Sequence, residues 1–156
     1  SNMEVSFTML LNLASVAAAS DKKHLWGFVQ RYAPQATPGT HPDLDQATEF
    51  AVRYYNDFVK PQKKYRIPTE LERQGLEELQ FRLKKWTGGL DPEALQGGVY
   101  ACGRDRFDPL RDWFSAIYEI LLGASQGPRF GGFIALYGIE ETIELINRGM
   151  SGELLK

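Results

Sequence analysis

The chain has 156 residues, 43% hydrophobic and 24% charged, with a formal net charge of -2. Such a composition excludes a disordered or low-complexity segment, and the length suffices for one domain or two small helical lobes. The mild acidity excludes a general polyanion binder, which needs a basic surplus across its contact face, so any nucleic-acid site must be local. The single cysteine, Cys102, excludes an intramolecular disulfide and a cysteine-rich zinc site and points to a reducing compartment, the cytoplasm.

Residues 1–3 read as cloning residues ahead of a domain over 4–156, with lobes at 4–60 and 68–156 if it divides. The apolar stretch Val5 to Ala19 has no basic residue before it and is interrupted by Ser6, Thr8, Asn12 and Ser15, so neither a signal peptide nor a membrane anchor is expected. From Phe7 to Ala18 the apolar residues surround most of a helix, leaving Thr8, Asn12 and Ser15 as a narrow polar stripe. A second helix opens at Ser20 or Asp21 as N-cap, carries Leu25, Trp26 and Val29, and stops before Pro34. Residues 33–42, with Pro34, Pro38, Gly39 and Pro42, read as a loop.

Leu44, Ala47, Ala51, Tyr54 and Phe58 then repeat at spacings of three and four, predicting an amphipathic helix up to Lys60-Pro61. After a basic connector, Pro68 and the capping box Thr69-Glu70-Leu71-Glu72 start a long helix with Leu76, Leu79, Leu83 and Trp86 along one side, ending at Gly88-Gly89. Asp91-Pro92 opens a helix through Leu95, Val99 and Cys102, in which Gly97-Gly98 predict a break or a close backbone approach. A further helix runs from Pro109 through Trp113, Ile117 and Leu121 to Gly123. Phe130, Phe133, Ile134 and Tyr137 form a short unit ending at Gly138, and Glu140-Glu141 open the last helix through Ile143 and Ile146. No alternating pattern of strand length appears, so the fold class expected is all-α.

Nothing in this pattern predicts catalysis. His24 and His41 lack acidic or cysteine neighbours at ligand spacing, so no metal site is expected. Ser6, Ser15 and Ser115 lack a nucleophile elbow, and Cys102 reads as a core residue. The Glu77-Glu78 and Glu140-Glu141 pairs point about 100° apart on a helix and suit solvated faces, not acid–base work. Two regions do combine cations with aromatic rings, the chemistry that holds single-stranded RNA. The first holds Arg53, Tyr54, Tyr55, Lys60, Lys63, Lys64, Tyr65 and Arg66; its alternative, which context-free reading favours, is a core face of Tyr54 and Phe58 with a solvated connector. The second is Gln126-Gly127-Pro128-Arg129-Phe130, a turn entering a helix, where backbone N–H groups with Gln and Arg side chains suit a pyrimidine edge; the alternative is a plain turn with Phe130 in the core.

The run Arg111-Asp112-Trp113-Phe114-Ser115-Ala116-Ile117-Tyr118-Glu119-Ile120-Leu121-Leu122-Gly123, then Gln126 to Phe130 and Ala135-Leu136-Tyr137-Gly138, resembles the C-terminal end of class I lysyl-tRNA synthetases. Val5-Ser6-Phe7 with Leu10-Leu11-Asn12-Leu13, and Val52 to Pro61, resemble the same family, so the likeness spans nearly the whole chain. The catalytic signatures of class I enzymes, of the types His-Ile-Gly-His and Lys-Met-Ser-Lys-Ser, occur nowhere in it.

The resemblance implies an α-helix cage of about seven to eight helices, similar to the C-terminal anticodon-binding region of glutamyl-tRNA synthetases. It further implies tRNA(Lys) as partner, with ATP and lysine activation left to a catalytic domain upstream. The glutamyl enzymes place the corresponding turn near the anticodon bases, which singles out Gln126, Gly127, Pro128, Arg129 and Phe130, with Trp113, for the base side. Lys60, Lys63, Lys64 and Arg66 are the phosphate-side candidates. The competing expectation is a helical protein–protein interaction module that binds no RNA.

Overall fold

The computed structural model describes residues 5–19 and 21–156; residues 1–3, read as cloning residues, and the alternative N-cap Ser20 lie outside them. The described residues form eight α-helices joined by short π and 3-10 turns, with no strand among them. They divide into two compact units between Lys63 and Lys64, inside the basic connector.

The first unit holds three helices. α1 (Phe7–Val16) starts where Ser6 accepts a hydrogen bond from the Met9 amide, and it buries Leu10, Asn12, Leu13 and Ala14. Its polar stripe splits: Thr8 is exposed, while buried Asn12 donates from Nδ2 to the Thr8 carbonyl at 2.9 Å. α2 (Lys22–Tyr32) is capped by Asp21 and buries Leu25, Trp26 and Val29. Asp45 joins it to the next helix, accepting from Trp26 Nε1 and Lys22 Nζ at 2.9 Å each.

α3 (Pro42–Tyr54) starts on a proline at its first turn and continues through a π turn, Tyr55–Val59, into a 3-10 turn, Lys60–Gln62. Here the predicted core face is corrected. The helix buries Thr48, Ala51 and Val52, whereas Tyr54 and Phe58 stay 37% and 61% exposed. Spacing of three and four located one aromatic stripe without saying whether core or solvent would meet it. Phe50, also exposed, continues that stripe, and its ring stacks on Phe7 with centroids 5.4 Å apart.

The second unit is built on a larger core. α4 (Glu70–Lys84) carries the full capping box, with Thr69 accepting from the Glu72 amide and Glu72 from the Thr69 amide. It buries Leu76, Leu79 and Leu83, but ends at Lys84, so Trp86 lies beyond its last turn and is half-buried. α5 (Pro92–Arg104) is continuous through Gly97-Gly98, and α6 (Arg111–Ile117) passes into a π turn, Tyr118–Leu122, closed by Gly123 at φ +66°. α7 (Phe130–Tyr137) is buried along its whole length, and α8 (Ile139–Ser151) faces the core with Thr142, Leu145, Ile146 and Gly149.

Trp113, Phe130, Phe133, Leu121 and Ile117 are fully enclosed at the centre of this unit. Burying one such aliphatic or phenyl side chain stabilises a fold by about 1.5–3 kcal/mol, so this cluster dominates the unit's stability. Close helix approach makes it possible. A Cβ on Gly131 would stand 2.4 Å from the Gln96 backbone nitrogen, and one on Gly103 would stand 2.2 Å from the Trp113 ring. Both positions therefore require the absence of a side chain.

Candidate RNA-binding turn

The turn before α7 is held from beneath at Gly127, Pro128, Phe130 and Gly131. Gly127 lies against Tyr118, where an added Cβ would come within 2.5 Å of the ring. The Tyr118 hydroxyl donates to the buried Pro128 carbonyl at 2.7 Å, and burial raises its pKa above the ordinary phenol value, so it stays a donor. Phe130 is fully enclosed and stacks on Phe133 at 5.5 Å. The Gly131 amide donates to Gln96 Oε1 at 2.6 Å, so this helix-start donor is already engaged by the protein.

These clamps sort the base-side candidates. Gln126 and Arg129 project from the turn and are exposed; Gly127, Pro128 and Phe130 shape it from below. Phe130 thus follows the alternative reading, a core residue. Trp113 is likewise removed from any stacking surface, being wholly buried with Nε1 donating to the Val99 carbonyl at 2.9 Å. Arg129 pairs with Glu93 at 3.0 Å, and with both side chains largely exposed the pair is screened and weak. Such a contact leaves the guanidinium open to exchange for another acceptor.

The phosphate-side candidates also separate. Lys60 is exposed at the 3-10 turn after α3, and Lys64 is exposed with its amide donating to the Gly123 carbonyl at 2.9 Å. Lys63 is half-buried, and burial pushes its ammonium down to about 8. Arg66 is corrected most. Its guanidinium donates to both Glu72 oxygens, at 2.7 and 2.9 Å, and to Glu119 Oε1 at 2.7 Å. Despite the burial that opposes its ionisation, Arg66 holds the Glu72 carboxyl below the usual glutamate range. That geometry makes Arg66 a brace between the start of α4 and the π turn, with its guanidinium already engaged by two carboxylates.

Three residues that matter to the turn carried no sequence signal: Tyr118, Gln96 and Glu93 meet it across 10, 35 and 36 residues. Burial, then the nearby Glu78 carboxylate, pushes the Cys102 thiol up to about 12, and its Sγ donates to the Gly98 carbonyl. No group of three or more His, Cys, Asp or Glu gathers into a metal-binding cluster among the described residues. None of the described helices is long and apolar enough to cross a membrane.

No protein-family model matches the chain. Curated proteins do. The chain is 65% identical, over 99% of its length, to a lysine–tRNA ligase of Roseobacter denitrificans. It is 48% identical over 91% of its length to the lysine–tRNA ligase of Rickettsia bellii, and 45% identical over 91% to that of Rickettsia conorii. The matched region is 29% of the first relative and 27% of the other two, so the chain spans less than a third of the curated relatives it matches. No solved structure matches. The chain is therefore homologous to a segment of lysine–tRNA ligases.

Proposed function

We propose that this chain is the C-terminal anticodon-binding region of a class I lysine–tRNA ligase, acting in the cytoplasm on the anticodon stem-loop of tRNA(Lys). ATP-dependent aminoacylation belongs, on this reading, to the part of the enzyme outside these residues. The observation that carries it is the clamped turn: Gln126 and Arg129 are its two exposed long polar side chains, set on a frame that Tyr118, Phe130 and Gln96 hold rigid. A carboxamide and a guanidinium on a rigid frame match the carbonyl-rich edge of uridine, and lysine anticodons are rich in uridine. High identity to lysine–tRNA ligases across nearly all of the chain supports the assignment.

Filter binding to a lysine anticodon stem-loop, with uridine-substituted loops as controls, tests it. Arg129→Ala should weaken binding by about 1–3 kcal/mol and flatten the preference for uridine. Equal binding of all loops by the parent chain at moderate salt would overturn the reading. The second reading, a protein-interaction module, draws on the exposed stripe of Phe50, Tyr54 and Phe58. Under that reading substitutions in the stripe abolish a protein contact and the stem-loop is not bound.

A further inference from the structure

Along the C-terminal half of α4 the second unit carries a groove of about 470 Å³, lined by Glu78, Phe81 and Arg82 of that helix and by Lys85 and Trp86 just after it. Phe81 is 58% exposed there, with the Lys85 ammonium 4.9 Å above its ring centre. Trp86 is held in place: its Nε1 donates to the Gly89 carbonyl at 2.8 Å, and its ring packs against the bare α-carbons of Gly88 and Gly98. A side chain at Gly88 would press within 3.0 Å of the indole. The one carboxylate in the lining, Glu78, is occupied by Arg82 on its own helix and by Arg106 in the turn after α5.

A held indole, an exposed phenyl ring, two flanking cations and a neutralised carboxylate do not suit a cationic or aliphatic occupant. They suit a flat π-surface attached to an anion. We propose that this groove stacks an unpaired nucleobase of the bound RNA, with Lys85 and Arg82 facing its phosphate. This rests on the RNA-binding reading above and assigns a second contact, distinct from the turn at Gln126 to Phe130. The charge balance favours a nucleotide over a protein segment, because the single carboxylate is shared by two guanidiniums, Arg82 and Arg106, and the Lys85 ammonium adds a further positive charge at the rim.

Trp26 and Trp113 are buried, which leaves half-buried Trp86 as the indole that a ligand can reach. The 156-residue chain would be titrated with the lysine anticodon stem-loop while tryptophan emission and affinity are followed together. Emission should be quenched on binding. Trp86→Phe keeps a ring and should bind within about two-fold of the parent but lose the quenching, whereas Trp86→Leu and Phe81→Leu should each bind about ten-fold more weakly. If both leucine variants bind as the parent does and emission never changes, while Arg129→Ala still loses base preference, the groove proposal is wrong and the anticodon reading stands. If the parent binds no stem-loop, both fall.

Discussion

Arg66 shows how a side chain that looks free in a sequence can be fully committed in a fold. It stands in a basic connector and would be counted toward phosphate binding, yet Glu72 and Glu119 take its guanidinium from two directions, the latter across 53 residues. The pairing predicts an acid response. Glu72 titrates below its ordinary value of 4.5, so the folded chain binds fewer protons there than the unfolded chain in acid. Its stabilising contribution is complete above about 4.5 and is lost as pH falls through the lower folded value. Glu72→Gln should therefore cost about 1–2 kcal/mol at pH 7, from a broken charge-assisted pair, and distinctly less at an acid pH below 4.5. Urea denaturation at the two pH values checks this; an equal deficit at both would mean the pair contributes no charge-dependent stability. Glu93 invites a second test. Because it competes for Arg129, Glu93→Gln should strengthen stem-loop binding a few-fold, and weaker binding would indicate that the carboxylate positions the guanidinium instead.

At the scale of elements, the helices were legible where local chemistry decides them. The Thr69 capping box, the Asp21 cap and the Asp91-Pro92 start are set by bonds within four residues, and all appear in the fold. What the pattern did not reveal was the partner of each face. The stripe of Tyr54 and Phe58 had the right period for a core and faces solvent instead, while Gly131 and Gly103 gave no sign that another helix or ring would press on them. The candidate turn could be named from its residues, but only family resemblance favoured it over a plain turn, since Tyr118 and Gln96 clamp it through the third dimension. Two glycine substitutions separate these effects. Gly97 is exposed in the middle of α5 with no atom within 4 Å of an added Cβ, so Gly97→Ala should stabilise by about 0.5–1 kcal/mol. Gly131→Ala would drive a methyl group into the α5 backbone, which cannot yield as a flexible side chain does, and should destabilise by about 3 kcal/mol or more. Thermal melts of the two variants should move in opposite directions; a shared direction would put the α5–α7 approach in doubt.

For the molecule as a whole, a net charge of -2 sets a limit on how RNA could be held. With no broad basic surface, few phosphates are neutralised, so affinity should depend only modestly on salt, and whatever dependence exists must come from a short run of cations. Lys60, Lys63 and Lys64 supply such a run, whereas Arg66 has been removed from it by its carboxylate partners. Each phosphate contact on single-stranded RNA contributes about 0.7 to the slope of log affinity against log salt. Replacing the three lysines by Met should then reduce the slope by about 2 while leaving the ratio of uridine to substituted loops unchanged. Lys63 adds a pH signature, because an ammonium titrating near 8 loses its charge in mild alkali. Its share of the slope should be present at pH 7 and fade by pH 9, so Lys63→Met should matter at the lower pH and be nearly silent at the higher one. A slope that the triple variant leaves unchanged would place these lysines outside the interface, and the charge that attracts the RNA would have to be sought on the α4 groove, at Arg82 and Lys85.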